Sequence, residues 1–371
     1  MNVFLDYCST TPLCQSAKSA ILNNLDNFAN PSNIYEIGAK VKYQIEKARD
    51  NIAKLINAES DEIFFTSGAS ESNSWAIGKI YAADKICSNV EHSSIMKNPH
   101  VKPIIKVGHN GLVNENAFNN INLDNVLVSI IHTNNELGVI NPIKNIAEFV
   151  HKNGGIFHSD ITQSISHMRI NVNELGLDAA SFSGHKFFAP KGIGVLYVKR
   201  GIKIDPLIYG SQNRNYRGGT ENTLGILAMD AALSEVVENI DEYNKKTAKL
   251  ADKLKESILS IPNVYLNVLV QKYLCVPYVL NIRIDDVSGE DLVAACSEYG
   301  IYLSNGSACN SMLPNPSHVL TAIGLNREQA LSSVRISLSR FTTDKEIEYA
   351  CDMIPKIIKM LKKELDHNLI S

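Results

Sequence analysis

Gly155-Ile156-Phe157-His158-Ser159-Asp160 and Ala179-Ala180-Ser181-Phe182-Ser183-Gly184-His185-Lys186 are short runs of mainly apolar and small residues, and each closes on a charged residue. Runs of this length, bounded by glycine and polar residues, read as buried strands. Similar runs occur at residues 63–65, 126–131 and 194–198, with helical stretches such as 143–152 between several of them. Strands alternating with helices imply an α/β fold, a mostly parallel sheet with helices on both faces. Ligands of such sheets bind beyond the carboxyl ends of the strands. The polar clusters of this chain fall at those ends.

The 371 residues carry 36 basic and 39 acidic side chains, a net charge of −3, so nothing in the balance predicts binding to a phosphate backbone. A hydrophobic content of 44% with 20% charged residues is that of a globular enzyme large enough for two domains. Apolar positions Ile37, Val41, Ile45, Ala48, Ile52 and Leu55 predict an amphipathic helix over 33–57. From about Glu235 a long helix carrying Leu250, Leu254 and Ile258 leads into a second set of strands and helices, which places the domain boundary within it. Thr343-Asp344-Lys345-Glu346 is a capping-box pattern opening the last helix, and Pro355 is expected to kink that helix. The first residues show no export signal. No apolar run approaches the ~20 residues of a membrane span. Seven cysteines without a C-x-x-C pair argue against a disulfide framework and a clustered metal site, and fit a reducing cytoplasm.

Several residues have two readings each. A lysine after a strand is ordinarily a solvated loop residue. Lys186 with Asp160 is also what pyridoxal phosphate chemistry needs: an amine for the aldehyde, and a carboxylate to keep the pyridine nitrogen protonated. Thr66-Ser67-Gly68-Ala69-Ser70-Glu71-Ser72-Asn73 is a strand–turn–helix junction with a serine cap, or a phosphate site in which small residues let the anion reach the first helical N–H groups. No Gly-Lys-Ser/Thr follows, so a P-loop is disfavoured. His92 is a surface histidine, or an imidazole lying on a cofactor ring. An amide of Asn134-Asn135-Glu136 is an ordinary polar loop residue or a contact to the ring hydroxyl. Arg335 is a salt-bridge partner or a carboxylate clamp. Cys309 lies in Ser304-Asn305-Gly306-Ser307-Ala308-Cys309-Asn310-Ser311, where small polar neighbours offer little packing; an accessible nucleophile is the better reading there, and burial the better one for the other six.

Together these segments resemble the cysteine desulfurases of the NifS/IscS type, within the class-V aminotransferase family of fold-type-I pyridoxal phosphate enzymes. The resemblance runs in order along nearly the whole chain. It takes in Leu5-Asp6-Tyr7, Asn30-Pro31-Ser32, the 66–73 run, Glu91-His92, Asn134-Asn135-Glu136-Leu137-Gly138, Asp160 with Gln163, Ser183-Gly184-His185-Lys186, Arg217-Gly218-Gly219-Thr220-Glu221-Asn222, Gly306-Ser307-Ala308-Cys309 and Val334-Arg335-Ile336-Ser337. It implies a large cofactor-binding domain over 13–250 and a smaller α+β domain built from 1–12 and 251–371, which carries the cysteine loop.

The resemblance also implies a set of roles. Lys186 is the Schiff-base lysine and Asp160 the partner of the pyridine nitrogen. Gln163 and Asn135 contact the ring oxygen, and Asn135 and Arg335 the substrate. Ala69, Ser70, Ser183 and His185 hold the phosphate, with Thr220 reaching the phosphate of the neighbouring subunit of a homodimer. His92 stacks on the ring. Cys309 takes the sulfur of L-cysteine as a persulfide, leaving L-alanine, for delivery to a sulfur-acceptor protein in iron–sulfur cluster biogenesis or another thio-modification. The Gly-Ser-Ala-Cys context is that of the group I enzymes. Alternatives on the same scaffold are a selenocysteine lyase or another aminotransferase-like enzyme; one from another class is a catalytically idle sulfur-assembly scaffold. Departures from the family pattern are Ser70 for threonine, Gly210-Ser211-Gln212-Asn213, Leu313-Pro314-Asn315-Pro316-Ser317, and Cys8 where a small residue or asparagine is more usual.

Overall fold

The computed structural model describes residues 1–305 and 315–370, the side chains of 363–370 excepted. Strands form at β1 (Val3–Phe4), β2 (Ile63–Thr66), β3 (Asp84–Ser88), β4 (Lys102–Ile105), β5 (Val126–Ser129), β6 (Ile156–Asp160), β7 (Ala179–Ser183), β8 (Gly194–Val198), β9 (Val264–Leu266), β10 (Val279–Ile284), β11 (Ile301–Tyr302) and β12 (Ser333–Ser337). Helices are α1 (Gln15–Leu22), α2 (Glu36–Leu55), α3 (Ala69–Lys79), α4 (Ser93–Met96), α5 (Ile143–Lys152), α6 (Thr223–Leu259), α7 (Gly289–Glu298), α8 (His318–Ala322), α9 (Arg327–Leu331) and α10 (Asp344–Ile370).

Seven strands form the main sheet, in the order β2-β8-β7-β6-β5-β3-β4. From β7 through β4 every pairing is parallel, as the alternation of strands and helices predicts. β8 departs from this and runs antiparallel to both β7 and β2. The reason is the short link. Residues 184–193 are too few for the crossover that a parallel neighbour requires, roughly a dozen residues or more, so the chain turns straight back and leaves Lys186 in the turn. All residues of β5, β7 and β8 are buried, which explains why these strands read as unbroken runs without polar alternation.

On one face α2, α5 and the first half of α6 close a core containing Val41, Ile45, Ile52, Phe157 and Val236. On the other, Trp75 and Ile77 of α3 pack with Phe64 and Leu196. α2 occupies most of the predicted 33–57 span, with Val41, Ile45, Ala48 and Ile52 inward as the periodicity requires; Ile37 is exposed. A further core gathers Leu250, Leu254 and Ile258 of α6 with Val3, Leu5, Ile282, Ile336 and Ile354. Here β12-β10-β9 form an antiparallel sheet, and β1 pairs in parallel with β11. α6 thus runs through both cores. It begins at Thr223, well before the expected start near Glu235, because the Asn222 side chain caps it by accepting from Gly225 N. Pro355 lies inside α10, which is assigned as one helix across it. Among the described residues no helix is long and apolar enough to cross a membrane.

Two glycines join sheet to site. A Cβ on Gly194, in β8, would stand 2.6 Å from Gly68 Cα and 2.7 Å from Phe182 O, both backbone atoms. Gly68 is the N-cap of α3, with a φ of 154° that disfavours side chains. Gly194→Ala therefore has no soft neighbour to displace. It is expected to cost about 1–3 kcal/mol in denaturant unfolding and to push the start of α3 out of place; unchanged stability would show that the two backbones have room to part.

Candidate active site

Beyond the carboxyl ends of β6 and β7 lies a cavity of about 580 Å³. It is lined by Ala69, Ser70, His92, Asn135, Asp160, Gln163, Ser183, His185, Lys186 and Arg335, together with Cys8 and Ser9 from the N-terminal segment. The fold therefore gathers in one place residues that the sequence scatters over more than three hundred positions. Thr220 is exposed and does not line this cavity. Cys309 lies outside the described residues.

Asp160 ends β6 with only 4% of its surface exposed. Its Oδ2 accepts from Asn73 Nδ2 at 2.7 Å and its Oδ1 from the Thr162 backbone N–H at 2.9 Å. A carboxylate buried this deeply requires such donors, because an unpaired buried charge is strongly disfavoured. On the next strand the β7 turn presents Lys186. Its Nζ donates to the backbone oxygens of Cys8 (2.6 Å) and Ser9 (2.8 Å). Burial, helped by the charge of Arg335, holds the amine below the ordinary lysine range, while Asp160 and Asp6 oppose the shift in part. Gln163 Nε2 donates to the same Cys8 oxygen at 3.0 Å.

His92 caps α4. Its Nδ1 accepts from Ser94 N at 3.2 Å and lies 2.8 Å from Ser94 Oγ. An acceptor Nδ1 leaves the ring proton on Nε2. Burial lowers the basicity of this imidazole, with the Asp160 charge opposing. His185 is pushed down further, to about 4, by burial and by Lys186 and Lys191, and its Nδ1 lies 3.1 Å from Thr10 Oγ1.

Gly68, Ala69 and Ser70 open α3, whose first N–H groups have no helical carbonyl to bond and carry the positive end of the helix dipole. Glu71, one residue on, is clamped by Arg217 (Nε to Oε1, 2.9 Å) and by Ser67 N at 3.1 Å. Although burial pushes its carboxyl up, those bonds outweigh it and hold Glu71 below the usual range. Its negative charge is thereby turned onto Arg217 and Ser67. The opening of α3, with the Ser183 hydroxyl nearby, is suited to an anion.

Arg335 is held nearly rigid. Nη2 donates to Asp6 Oδ1 at 2.6 Å and Ser9 Oγ at 2.9 Å, Nη1 donates to Asn135 O at 3.0 Å, and its buried Nε has no partner among the described residues. A guanidinium that lines a cavity with N–H groups to spare among the described residues is suited to a carboxylate ligand.

The sequence reading missed the partners of these groups. Asn73 belongs to the 66–73 run, and the signal that marks it is a polar residue one turn into a helix whose Trp75 and Ile77 are buried. Asp6 and Ser9 lie more than three hundred residues from Arg335, and no local pattern announces such a pair.

The aminotransferase class-V family pattern matches residues 3–350. A protein of Methanosarcina thermophila described as "Cysteine desulfurase IscS" is 39% identical over 97% of this chain and 93% of its own length. Among solved structures, one titled "NIFS-LIKE PROTEIN" superposes with a TM-score of 0.89 at 30% identity, covering 97% of this chain and all of the other. Another, titled "SspA in complex with cysteine", gives a TM-score of 0.79 at 30% identity over 92% of this chain and all of the other.

Glu91, beside His92, is wholly buried: Ser88 Oγ (2.5 Å) and Ile131 N (2.8 Å) donate to its Oε1, and Oε2 has no partner among the described residues. Burial outweighs those bonds and pushes the carboxyl up to about 8. The unfolded chain releases this proton near the ordinary carboxylate value, whereas the folded protein keeps it until about pH 8, so stability falls as pH rises through that window. Glu91→Gln has no proton to lose. Between about pH 5 and pH 8 the natural protein is expected to lose stability relative to the variant, by on the order of 1 kcal/mol per pH unit. Denaturant unfolding of both at the two ends of the window measures this, and parallel behaviour would show that Glu91 is not the titrating group.

Proposed function

The chain belongs to the class-V aminotransferase family, and from that premise we propose that it is a cysteine desulfurase, taking sulfur from L-cysteine and leaving L-alanine. The observation that carries the reading is the convergence in one cavity of a buried carboxylate, Asp160, an amine of lowered basicity, Lys186, and a guanidinium, Arg335, whose Nε has no partner among the described residues.

Pyridoxal 5′-phosphate fits this donor set. Ala69, Ser70, Ser183 and His185 would hold its phosphate at the start of α3, Asp160 its ring nitrogen, Gln163 and Asn135 its ring oxygen, and Lys186 its aldehyde, with His92 against the ring. When bound, the group supplies an electron sink for bond breaking at the amino acid's α-carbon. The remaining work falls to the protein. Arg335 and Asn135 fix the substrate carboxylate and so orient the α-carbon. Lys186, whose burial favours the neutral amine, can accept the α-proton. The Cys309 thiolate attacks the substrate sulfur and the C–S bond breaks, its electron pair staying with carbon; the skeleton takes up one proton at the β-carbon and regains the α-proton to become alanine, and the enzyme keeps the sulfur as a persulfide. A sulfur-acceptor protein, such as one serving iron–sulfur assembly, then collects it.

A second copy of the chain completes the assembly. Phe28, Ile34 and Tyr209 are 86%, 101% and 89% exposed, and large apolar side chains this open to water are what a second copy would cover. Thr220, exposed and outside the lining of its own cavity, would serve that of the other copy.

Two experiments test this. Cys309→Ala is expected to bind pyridoxal phosphate normally, yet release alanine and sulfide from cysteine about 10³-fold more slowly or worse; sulfide release at the natural rate removes Cys309 from the reaction. Phe28→Asp combined with Ile34→Asp is expected to sediment as an inactive monomer, and a fully active monomer would contradict the role given to Thr220.

A further inference from the structure

Asn73 lies between the two groups placed around the ring, and its surface is fully buried. Its Nδ2 donates to Asp160 Oδ2 at 2.7 Å and also to Ser94 Oγ at 3.0 Å. An amide nitrogen has two protons, and here each has its own acceptor. Because Ser94 Oγ accepts from Asn73, its one proton is free for the contact at 2.8 Å with His92 Nδ1. Hydrogen-bond direction is therefore fixed at every link. Asn73 gives to Asp160 and to Ser94, and Ser94 gives to His92.

We propose that Asn73 is a positioning residue that couples Asp160 to His92, stabilising the negative charge of the one and, through the Ser94 hydroxyl, holding the other neutral with its proton on Nε2. The coupling rests on the reading of Asp160 and His92 as the groups at the ring nitrogen and the ring face. It adds to that reading a reason why both are correctly prepared at once. Donors on Nδ1 stabilise the neutral imidazole; the Ser94 backbone N–H at 3.2 Å is one and stays, so loss of the hydroxyl at 2.8 Å, or of the amide that orients it, removes the shorter of two and lets a proton return to His92 more easily. The titratable groups that face His92 are Asp160 at the end of β6, Lys186 after β7 and His318 on α8, and Glu91 precedes it in the chain. None of these is itself replaced; the Asn73 variants also take a donor from Asp160, which by weakening that charge would lower the His92 titration point, so a rise there reports the Ser94 link.

The test uses the full-length protein labelled with nitrogen-15 in histidine, with and without pyridoxal phosphate; His92→Gln identifies the His92 resonances. In the natural protein Nδ1 is expected to show the unprotonated type of resonance and Nε2 the protonated type. Ser94→Ala is expected to raise the pH at which His92 titrates and to leave the dissociation constant for pyridoxal phosphate within about twofold. Asn73→Leu is expected to do both: raise the His92 titration point, and weaken pyridoxal phosphate binding about tenfold or more, the usual scale for a lost hydrogen bond to a charged group. Asn73→Ala gives the same two readouts if the leucine variant does not fold. The coupling is overturned if an Asn73 variant weakens cofactor binding with His92 unmoved, or leaves both unmoved. The histidine readout in cofactor-free protein separates this outcome from failure of the functional reading, which would instead appear as a natural protein that binds no pyridoxal phosphate.

Discussion

A carboxylate placed at the end of a central strand, out of reach of bulk water, can persist only if other groups supply the hydrogen bonds that solvent would have made. Asp160 is such a group, and much of the architecture serves it. β6 lies between β5 and β7 inside the sheet, so its terminus has a strand on either side. Asn73 and the Thr162 backbone then give one hydrogen bond to each carboxylate oxygen. The same helix that delivers Asn73 has its first turn at the anion cradle four residues earlier. α3 is therefore anchored at two points of one ligand site, and the tight passage of Gly194 past Gly68 keeps it against the sheet.

The second constraint is topological. Because β8 returns antiparallel after a short turn, Lys186 is carried by a tight connection between two buried strands, with little freedom to swing into solvent. Its amine meets the carbonyls of Cys8 and Ser9, and Gln163 bonds one of the same oxygens. The N-terminal segment is thus a wall of the cavity. It holds the lysine on one side and, through Asp6 and Ser9, the Arg335 guanidinium on the other.

The sequence made some of this legible for physical reasons. Fully buried strands such as β7 and β8 lack polar alternation and are visible as apolar runs. α2 shows its burial pattern because one face meets the core and the other meets water. Residues whose chemistry is unusual in their setting, such as Lys186 after a strand, could be singled out, and family resemblance turned single ambiguities into a set. β4, with three of its four residues exposed, carries no long apolar run and is not legible in the sequence. The direction of β8 depended on the length of the link before it. The partners of the chemical groups stayed hidden for a different reason. Asn73, Ser94, Asp6 and Ser9 are ordinary polar residues, and only their spatial neighbours give them a task.

The Asp6–Arg335 pair spans 329 residues of sequence, and this has a consequence for biogenesis. Synthesis proceeds from the N-terminus at about 5–20 residues per second, so residues 6–9 emerge early and wait for β12 to leave the ribosome. Until then one wall of the pocket has nothing to close against, however well the main sheet has formed. A pocket walled by both ends of the polypeptide is consequently completed only when β12 has been made, and a translation product that stops short of it lacks the Arg335 guanidinium.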